Sequence, residues 1–147
     1  MADFDRAIAD HRAGRLAAAA AGYRRVLDQD PGHADACHLL GLTLHQRGEN
    51  ALAAELIKQA LLLRPRTANY HNSLGLALRG LGERDAAIDA FECAIAIDPD
   101  DPDAQNNYGL TLGDSRRYDE AVAPLRRALA IRPDYPAAQN NLGRILV

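Results

Sequence analysis

The chain has 147 residues, of which 48% are hydrophobic and 25% charged, and its formal net charge is −3. Such a mildly acidic chain has no global basic field, so we expect neither nucleic acid nor a membrane surface as its partner. Its apolar runs, such as 16–21, are far too short to span a bilayer, and segment 1–6 is too acidic for a secretory signal. We therefore expect a soluble, cytoplasmic protein.

Three series of residues recur with a period of 34 along the chain. The first series consists of Pro31, Pro65, Pro99 and Pro133. The other two contain small residues: Ala7, Gly41, Gly75, Gly109 and Gly143, and Ala19, Ala53, Ala87 and Ala121. A constant period of this length is typical of stacked helix-turn-helix units. Because such units contact only their neighbours, we expect an elongated core rather than one globular core.

The period predicts a single domain, 1–147, made of four helical hairpins and a lone terminal helix. The hairpins extend over about 1–33, 34–67, 68–101 and 102–135, and the last helix over 136–147. In the first hairpin, Arg6 and Asp10 replace residues that are apolar in the later ones, as a polar N-terminal cap requires. Pro102 and Pro136 stand at first helical positions, which tolerate a missing N–H group.

The third hairpin illustrates the predicted helices. Its first helix has apolar residues at helical spacing: Tyr70, Leu74, Leu78 and Leu81. Gly82 ends that helix as a left-handed cap would, and a second helix over 85–97 ends before Pro99.

Small residues are expected where the two helices of a hairpin cross. Gly75, Ala87 and Ala94 allow the backbones to approach closely, while Leu74 and Phe91 fill the space around the crossing. The equivalent bulky pairs are Leu40 with Ile57 and Tyr108 with Leu125.

The fourth hairpin departs from the pattern at two positions. Arg116 stands where Gly14, Gly48 and Gly82 cap the earlier helices, so its turn must accept a left-handed residue or adopt another geometry. Pro124 falls inside the second helix, where it removes one backbone hydrogen bond and predicts a local kink.

The cysteines and histidines do not have the spacing of a chemical site. Cys37 and Cys93 lie in different hairpins without a Cys-x-x-Cys arrangement, so each is expected to be a small buried residue. His38 and His45 are separated by about 10.5 Å along one helix, which is too far to share a metal ion. Phosphate loops and nucleophile elbows are also missing, so we expect no metal, no cofactor and no catalysis.

The C-terminus consists of three apolar residues, Ile145, Leu146 and Val147, without a second helix to cover them. They indicate either a cap with a frayed end or, as we favour, a fragment of a longer array or a pairing of two chains through this end.

The repeated motif resembles that of the tetratricopeptide repeat family. It comprises Leu-Gly at 40–41 and 74–75, an alanine twelve residues after the glycine, a large apolar residue four further on, and a final proline. The resemblance covers the whole chain and implies an all-α, right-handed superhelix of hairpins. It also implies that the first helices line a concave groove and bind a peptide segment or a partner helix, without catalysis.

In that family, exposed groove positions flank the Leu-Gly pair. The corresponding candidate contacts are His38, Leu42, Asn72, Leu76, Asn106, Leu110 and Asn140, with His45 and Arg79 at the groove edge. Asn107 and Asn141 match a place at which the repeat arrays of O-linked N-acetylglucosamine transferases and their bacterial relatives hold peptide backbone. Ser73 and Leu39 do not match that place. The alternative is that each asparagine only bonds nearby backbone between repeats.

Amides beside a leucine row favour a partly apolar peptide bound with modest sequence selectivity. Two other function classes stay open. The chain could be the substrate-recruiting N-terminal part of a larger glycosyltransferase-like enzyme, or a self-assembling scaffold that docks through Leu146.

Overall fold

The computed structural model of the protein describes residues 2–147; residue 1, the predicted start of the domain and of its first hairpin, lies outside the described residues. Residues 2–147 form nine α-helices and no β-strand. The helices are α1 (Ala2–Arg12), α2 (Leu16–Gln29), α3 (Ala34–Gln46), α4 (Asn50–Leu63), α5 (Ala68–Gly80), α6 (Arg84–Ile97), α7 (Pro102–Asp114), α8 (Tyr118–Ile131) and α9 (Pro136–Leu146). Pro102 and Pro136 begin their helices, as predicted.

The nine helices stack into a helical solenoid, which confirms the predicted all-α repeat fold. The most extensive contacts join the two helices of each hairpin, and each hairpin also packs against the next. The odd-numbered helices from α3 to α9 contact one another in succession, whereas within residues 2–147 no even-numbered pair makes a contact of that extent. The odd-numbered helices therefore form the inner face of the stack, and the even-numbered helices form its outer face.

Glycines on the inner helices receive the bulky residues of the outer helices. The pairs are Gly41 with Ile57, Gly75 with Phe91 and Gly109 with Leu125. A Cβ atom on Gly75 would lie 2.5 Å from Cε1 of Phe91, a distance that no real side chain tolerates. Ala87 and Ala94 are also buried at this crossing, as expected. The glycine series therefore provides the space into which the largest core side chains insert.

The first hairpin reverses this arrangement. Ala7 replaces the glycine on α1, and the missing space is provided by Gly22 on α2. A Cβ atom on Gly22 would lie 2.7 Å from Cβ of Ala7. The bulky residue of this hairpin, Tyr23, is fully buried.

The turns within hairpins use a left-handed residue. Gly14, Gly48 and Gly82 have φ angles of 79°, 83° and 79°, and Arg116 takes the same place with φ 61°. Of the two geometries that the sequence allowed at Arg116, the left-handed one is therefore present. The sequence predicted that Leu81 belongs to the first helix of its hairpin. In the structure α5 ends at Gly80, and Leu81 lies in the turn and is exposed.

Helix α8 continues from Tyr118 to Ile131 through Pro124, which is buried. The kink that Pro124 predicts remains a prediction.

The expectation that both cysteines are buried was correct for Cys37 and wrong for Cys93. Cys93 is exposed because it lies two residues after the buried Phe91 on α6, roughly 200° around the helix from that residue.

Helix α9 has the sequence of an inner helix, and within residues 2–147 the only outer helix with which it makes extensive contact is the preceding one, α8. In the described part of the chain, nothing lies within 4 Å of a Cβ atom placed on Gly143, and Leu146 is 57% exposed. Ile145 differs from the expected uncovered end, because it packs on the cluster of Ile88 and Leu112.

Candidate functional site

The inner face presents a row of half-exposed leucines, one on each of three consecutive inner helices. Leu42, Leu76 and Leu110 lie on α3, α5 and α7 at the 34-residue period. In the same register, α1 has Ile8 and α9 has Arg144. The inner face therefore carries an aliphatic row that ends in a basic residue. We call Leu42, Leu76 and Leu110 the leucine row.

Beside the leucine row, side chains of successive inner helices are hydrogen-bonded at a constant separation of 35 residues. His38 Nε2 lies 2.7 Å from Ser73 Oγ. The Nδ2 atoms of Asn107 and Asn141 donate to Oδ1 of Asn72 at 3.1 Å and of Asn106 at 3.0 Å. We call these three bonds the inter-repeat bonds. They join α3 to α5, α5 to α7 and α7 to α9.

The inter-repeat bonds change the interpretation of five candidate contacts. His38, Asn106 and Asn141 are only 4%, 5% and 7% exposed, so little of these side chains is accessible, contrary to the expected groove contacts. The alternative was that Asn107 and Asn141 bond nearby backbone. Their side-chain amides instead bond side chains of the preceding repeat. Asn72 and Asn107 are half-buried, and of the candidate asparagines only Asn140, which is in none of the three bonds, is exposed.

His38 is held as a neutral imidazole between two repeats. Its ring stacks on Tyr70, with centroids 4.5 Å apart and planes inclined by 27°. Burial lowers the pKa of His38 to about 4, although the nearby Asp35 favours the charged form. The Tyr70 hydroxyl donates to Asp35, and burial together with this bond raises the pKa of Tyr70 to about 12. This polar cluster is a structural contact between α3 and α5.

The candidates at the groove edge each have a neighbouring partner. His45 Nδ1 donates to Asn50 Oδ1 at 2.6 Å. Arg79 Nη2 lies 2.7 Å from Asp114 Oδ2, which joins α5 to α7. His45 and Arg79 are half-buried, so both retain accessible surface beside Leu76.

Two cavities lie along the inner face. The first, of about 310 Å³, is lined by His45, Leu76, Arg79, Gly80, Gly82, Arg84 and Asp114. The second, of about 140 Å³, is lined by Leu110, Gly113, Asp114, Tyr118, Asn141, Arg144 and Ile145. Because Asp114 lines both, the cavities are neighbours. Together they bring the candidates His45, Leu76, Arg79, Leu110 and Asn141 to one surface.

Sequence reasoning missed three residues of this surface: Asp114, Tyr118 and Arg144. The period could have identified Arg144, because it occupies the position of Leu110 one repeat later. Asp114 stands one residue after the Arg79 position in the next repeat, and a 35-residue offset would have paired the two. Tyr118 begins α8, and no spacing or motif in the sequence indicated its place at the cavity.

No three His, Cys, Asp or Glu side chains within residues 2–147 are grouped in a way that could hold a metal ion. None of the helices in the described part of the chain has both the length and the apolar character needed to cross a bilayer.

Solved structures with the same fold are numerous. MamA is 27% identical with a TM-score of 0.84, and the match covers 95% of this chain and 81% of MamA. YrrB, described as a TPR protein with an unusual peptide-binding site, is 21% identical with a TM-score of 0.78, and the match covers 97% of this chain and 74% of YrrB. Pseudomonas aeruginosa pilF is 22% identical with a TM-score of 0.89, over 99% of this chain and 66% of pilF.

No curated protein matches the sequence. The family model for the tetratricopeptide repeat matches residues 4–70, 38–102, 72–136 and 106–147, which together cover nearly the whole chain. These overlapping matches follow the same 34-residue period as the glycine and proline series. The chain is a member of the tetratricopeptide repeat family.

Proposed function

We propose that the chain is a non-catalytic protein-interaction module that binds a partly apolar peptide segment on its inner face, along α3, α5, α7 and α9. The leucine row carries this proposal. Leu42, Leu76 and Leu110 stay half-exposed on a face whose neighbouring polar groups already bond one another. An apolar row with a polar border is typical of a surface that binds another protein.

Two amides beside the leucine row can supply hydrogen bonds to a peptide backbone. Asn72 accepts from Asn107 through Oδ1, and its own Nδ2 has no partner among residues 2–147. Asn140 is exposed and also has no side-chain partner in that part of the chain. An amide can donate to a carbonyl or accept from an N–H group whatever the peptide sequence. In the proposed binding mode, apolar side chains of the peptide therefore pack on the leucine row, and the peptide backbone hydrogen-bonds the amides of Asn72 and Asn140.

The comparisons support a peptide as the class of ligand. YrrB, which has the same fold, is described as having a peptide-binding site. We extend that role to this chain as part of the proposal. The module is one domain, with its repeats over about 1–33, 34–67, 68–101 and 102–135 and the terminal helix over 136–147.

The proposal is tested by selecting binders from a random peptide library displayed on phage and measuring their affinity by fluorescence polarisation. Leu76→Ser removes the centre of the leucine row, and we expect it to weaken binding about tenfold. Leu62→Ser is the matched control, because Leu62 is 84% exposed on the outer helix α4. Failure to select any peptide, or equal affinities for the two variants, would contradict the proposal.

A second candidate function is self-association through α9. Gly143 and Leu146 on this helix occupy positions that an outer helix covers in the repeats before it. The open space at Gly143 would accept a bulky side chain from a second copy, as Gly75 accepts Phe91. This candidate is independent of the leucine row and can be tested separately.

A further inference from the structure

We propose that the two ends of the peptide-binding face differ in chemistry and that its C-terminal end binds an acidic side chain of the peptide. This inference rests on the proposed function and names the chemistry of its ligand. The row of aliphatic residues that starts at Ile8 and continues through the leucine row ends at Arg144 on α9. A peptide that lies along the row meets aliphatic side chains first and a guanidinium last.

Arg144 is free to take a carboxylate from outside the chain. Its side chain is exposed and lines the cavity of about 140 Å³ between α7 and α9. Within residues 2–147 no carboxylate forms an ion pair with it. The other arginine of the inner face, Arg79, is already paired with Asp114 at 2.7 Å.

The charges around the cavity leave a net positive site. Asp114 is the only acidic residue in the lining, and its ion pair with Arg79 offsets its charge. Arg144 therefore contributes a charge that no ion pair within residues 2–147 neutralises. A peptide carboxylate is the complementary group, because an arginine fork binds it through charge-assisted hydrogen bonds.

Two further polar side chains line the cavity beside Arg144. Tyr118 is 49% exposed and carries a hydroxyl that can donate a hydrogen bond. Asn141 also lines the cavity but is only 7% exposed, and its amide already donates to Asn106, so it adds little accessible donor surface. Leu110 and Ile145 form the apolar walls of the cavity. The cavity thus combines cationic and neutral donors with walls that contact the aliphatic stem of an Asp or Glu side chain.

The test uses the phage-selected peptides and the intact chain. Each acidic residue of a selected peptide is replaced by its amide, and affinities are measured for the wild type and for Arg144→Gln. We expect one replacement to weaken binding to the wild type by on the order of tenfold or more, and to have little effect on Arg144→Gln. Arg144→Glu should prefer the same peptide with Lys at that position.

The control variant is Arg126→Glu, which makes the same charge change at an exposed position of the outer helix α8. It should keep the wild-type preference, and circular dichroism melts verify that each variant is folded. Selected peptides without a required acidic residue, or an acidic preference unchanged in Arg144→Gln, would overturn this inference while leaving the proposed function intact. If no peptide binds at all, it is the proposed function that fails.

Discussion

The side-chain amide of Asn141 donates to Oδ1 of Asn106, 3.0 Å away and 35 residues earlier in the chain, and both residues are buried. The same offset joins Asn107 to Asn72 and His38 to Ser73. Each bond connects one inner helix to the next. The amides of this face therefore position the repeats relative to one another, and the surface left for a partner is formed by the leucines and the groove edge.

The first prediction concerns this pair. Asn106→Ala removes the acceptor and leaves the buried amide of Asn141 without a partner, so we expect a loss of about 1–3 kcal/mol in the free energy of unfolding. Asn140→Ala, at an adjacent exposed position, should change it by less than about 0.5 kcal/mol. Urea denaturation of the two variants measures the difference. Equal stabilities would show that the Asn106–Asn141 bond contributes little in solution.

The second prediction concerns pH. Burial lowers the pKa of His38 from 6.5 to about 4, so between these values the unfolded chain binds more protons than the folded one, and stability falls as the pH falls. The contribution is fully present above about pH 6.5 and is lost progressively toward pH 4. From this shift we expect a loss of roughly 2 kcal/mol between about pH 7.5 and pH 5.

Urea denaturation at a series of pH values measures this loss. His38→Asn should reduce the dependence on pH, although it also lowers stability at neutral pH by removing the stacking on Tyr70. His71→Asn is the control, because His71 hydrogen-bonds the Pro65 carbonyl at an exposed site. An unchanged pH profile in His38→Asn would assign the dependence to other groups.

The third prediction contrasts two glycines at equivalent positions. A Cβ atom on Gly75 would collide with Phe91, so Gly75→Ala should destabilise the protein by about 1–3 kcal/mol. Gly143 has open space, and Gly143→Ala should instead stabilise α9 by up to about 1 kcal/mol, because alanine favours the helix. Hydrogen exchange of the α9 amides measures the second effect. Faster exchange in Gly143→Ala would indicate that another molecule covers this position in solution.

The fourth prediction concerns the turn between α7 and α8. Arg116 has φ 61°, so Arg116→Gly should raise the free energy of unfolding by about 1 kcal/mol. Arg47 is the matched control, because it lies in the equivalent turn between α3 and α4 with φ −89°. Arg47→Gly should lower stability through the added freedom of the unfolded chain. Thermal denaturation of both variants gives the signs, which must be opposite.

The fifth prediction tests the apolar end of α9. If two chains associate there, the mass measured by light scattering rises with concentration, and Leu146→Glu abolishes the rise because it places a charge in the apolar contact. Leu62→Glu, at an exposed leucine of α4, should leave the association unchanged. A constant monomer mass for the wild type would exclude the second candidate function.

The sequence was sufficient for the fold because the 34-residue period repeats both helix boundaries and core positions. Gly75 and Phe91 could be assigned to one crossing, since both recur with that period. The period does not show which equivalent positions contact each other across repeats. The inter-repeat bonds join residues 35 apart rather than 34 apart, so the burial of His38 and Asn106 could not be derived from the 34-residue period. The burial of Cys93 was predicted wrongly for a related reason. The period does not show which side of α6 faces outward from the stack, and Cys93 lies on that side.

The site was predictable to a similar extent. The leucine row follows directly from the period, whereas the cavity at Arg144 depends on how α9 lies against α7. Its lining combines residues from α7, α8 and α9, and the spacing of one helix cannot indicate such a combination.

The inter-repeat bonds also have a mechanical consequence. They tie the inner helices together while the outer helices have no comparable contact within residues 2–147. When such a stack bends, its hydrogen-bonded inner side keeps a nearly constant length. The change in length therefore occurs mainly in the distances between α4, α6 and α8. A load that straightens or coils the chain would therefore change the outer surface first and leave the spacing of Leu42, Leu76 and Leu110 nearly unchanged.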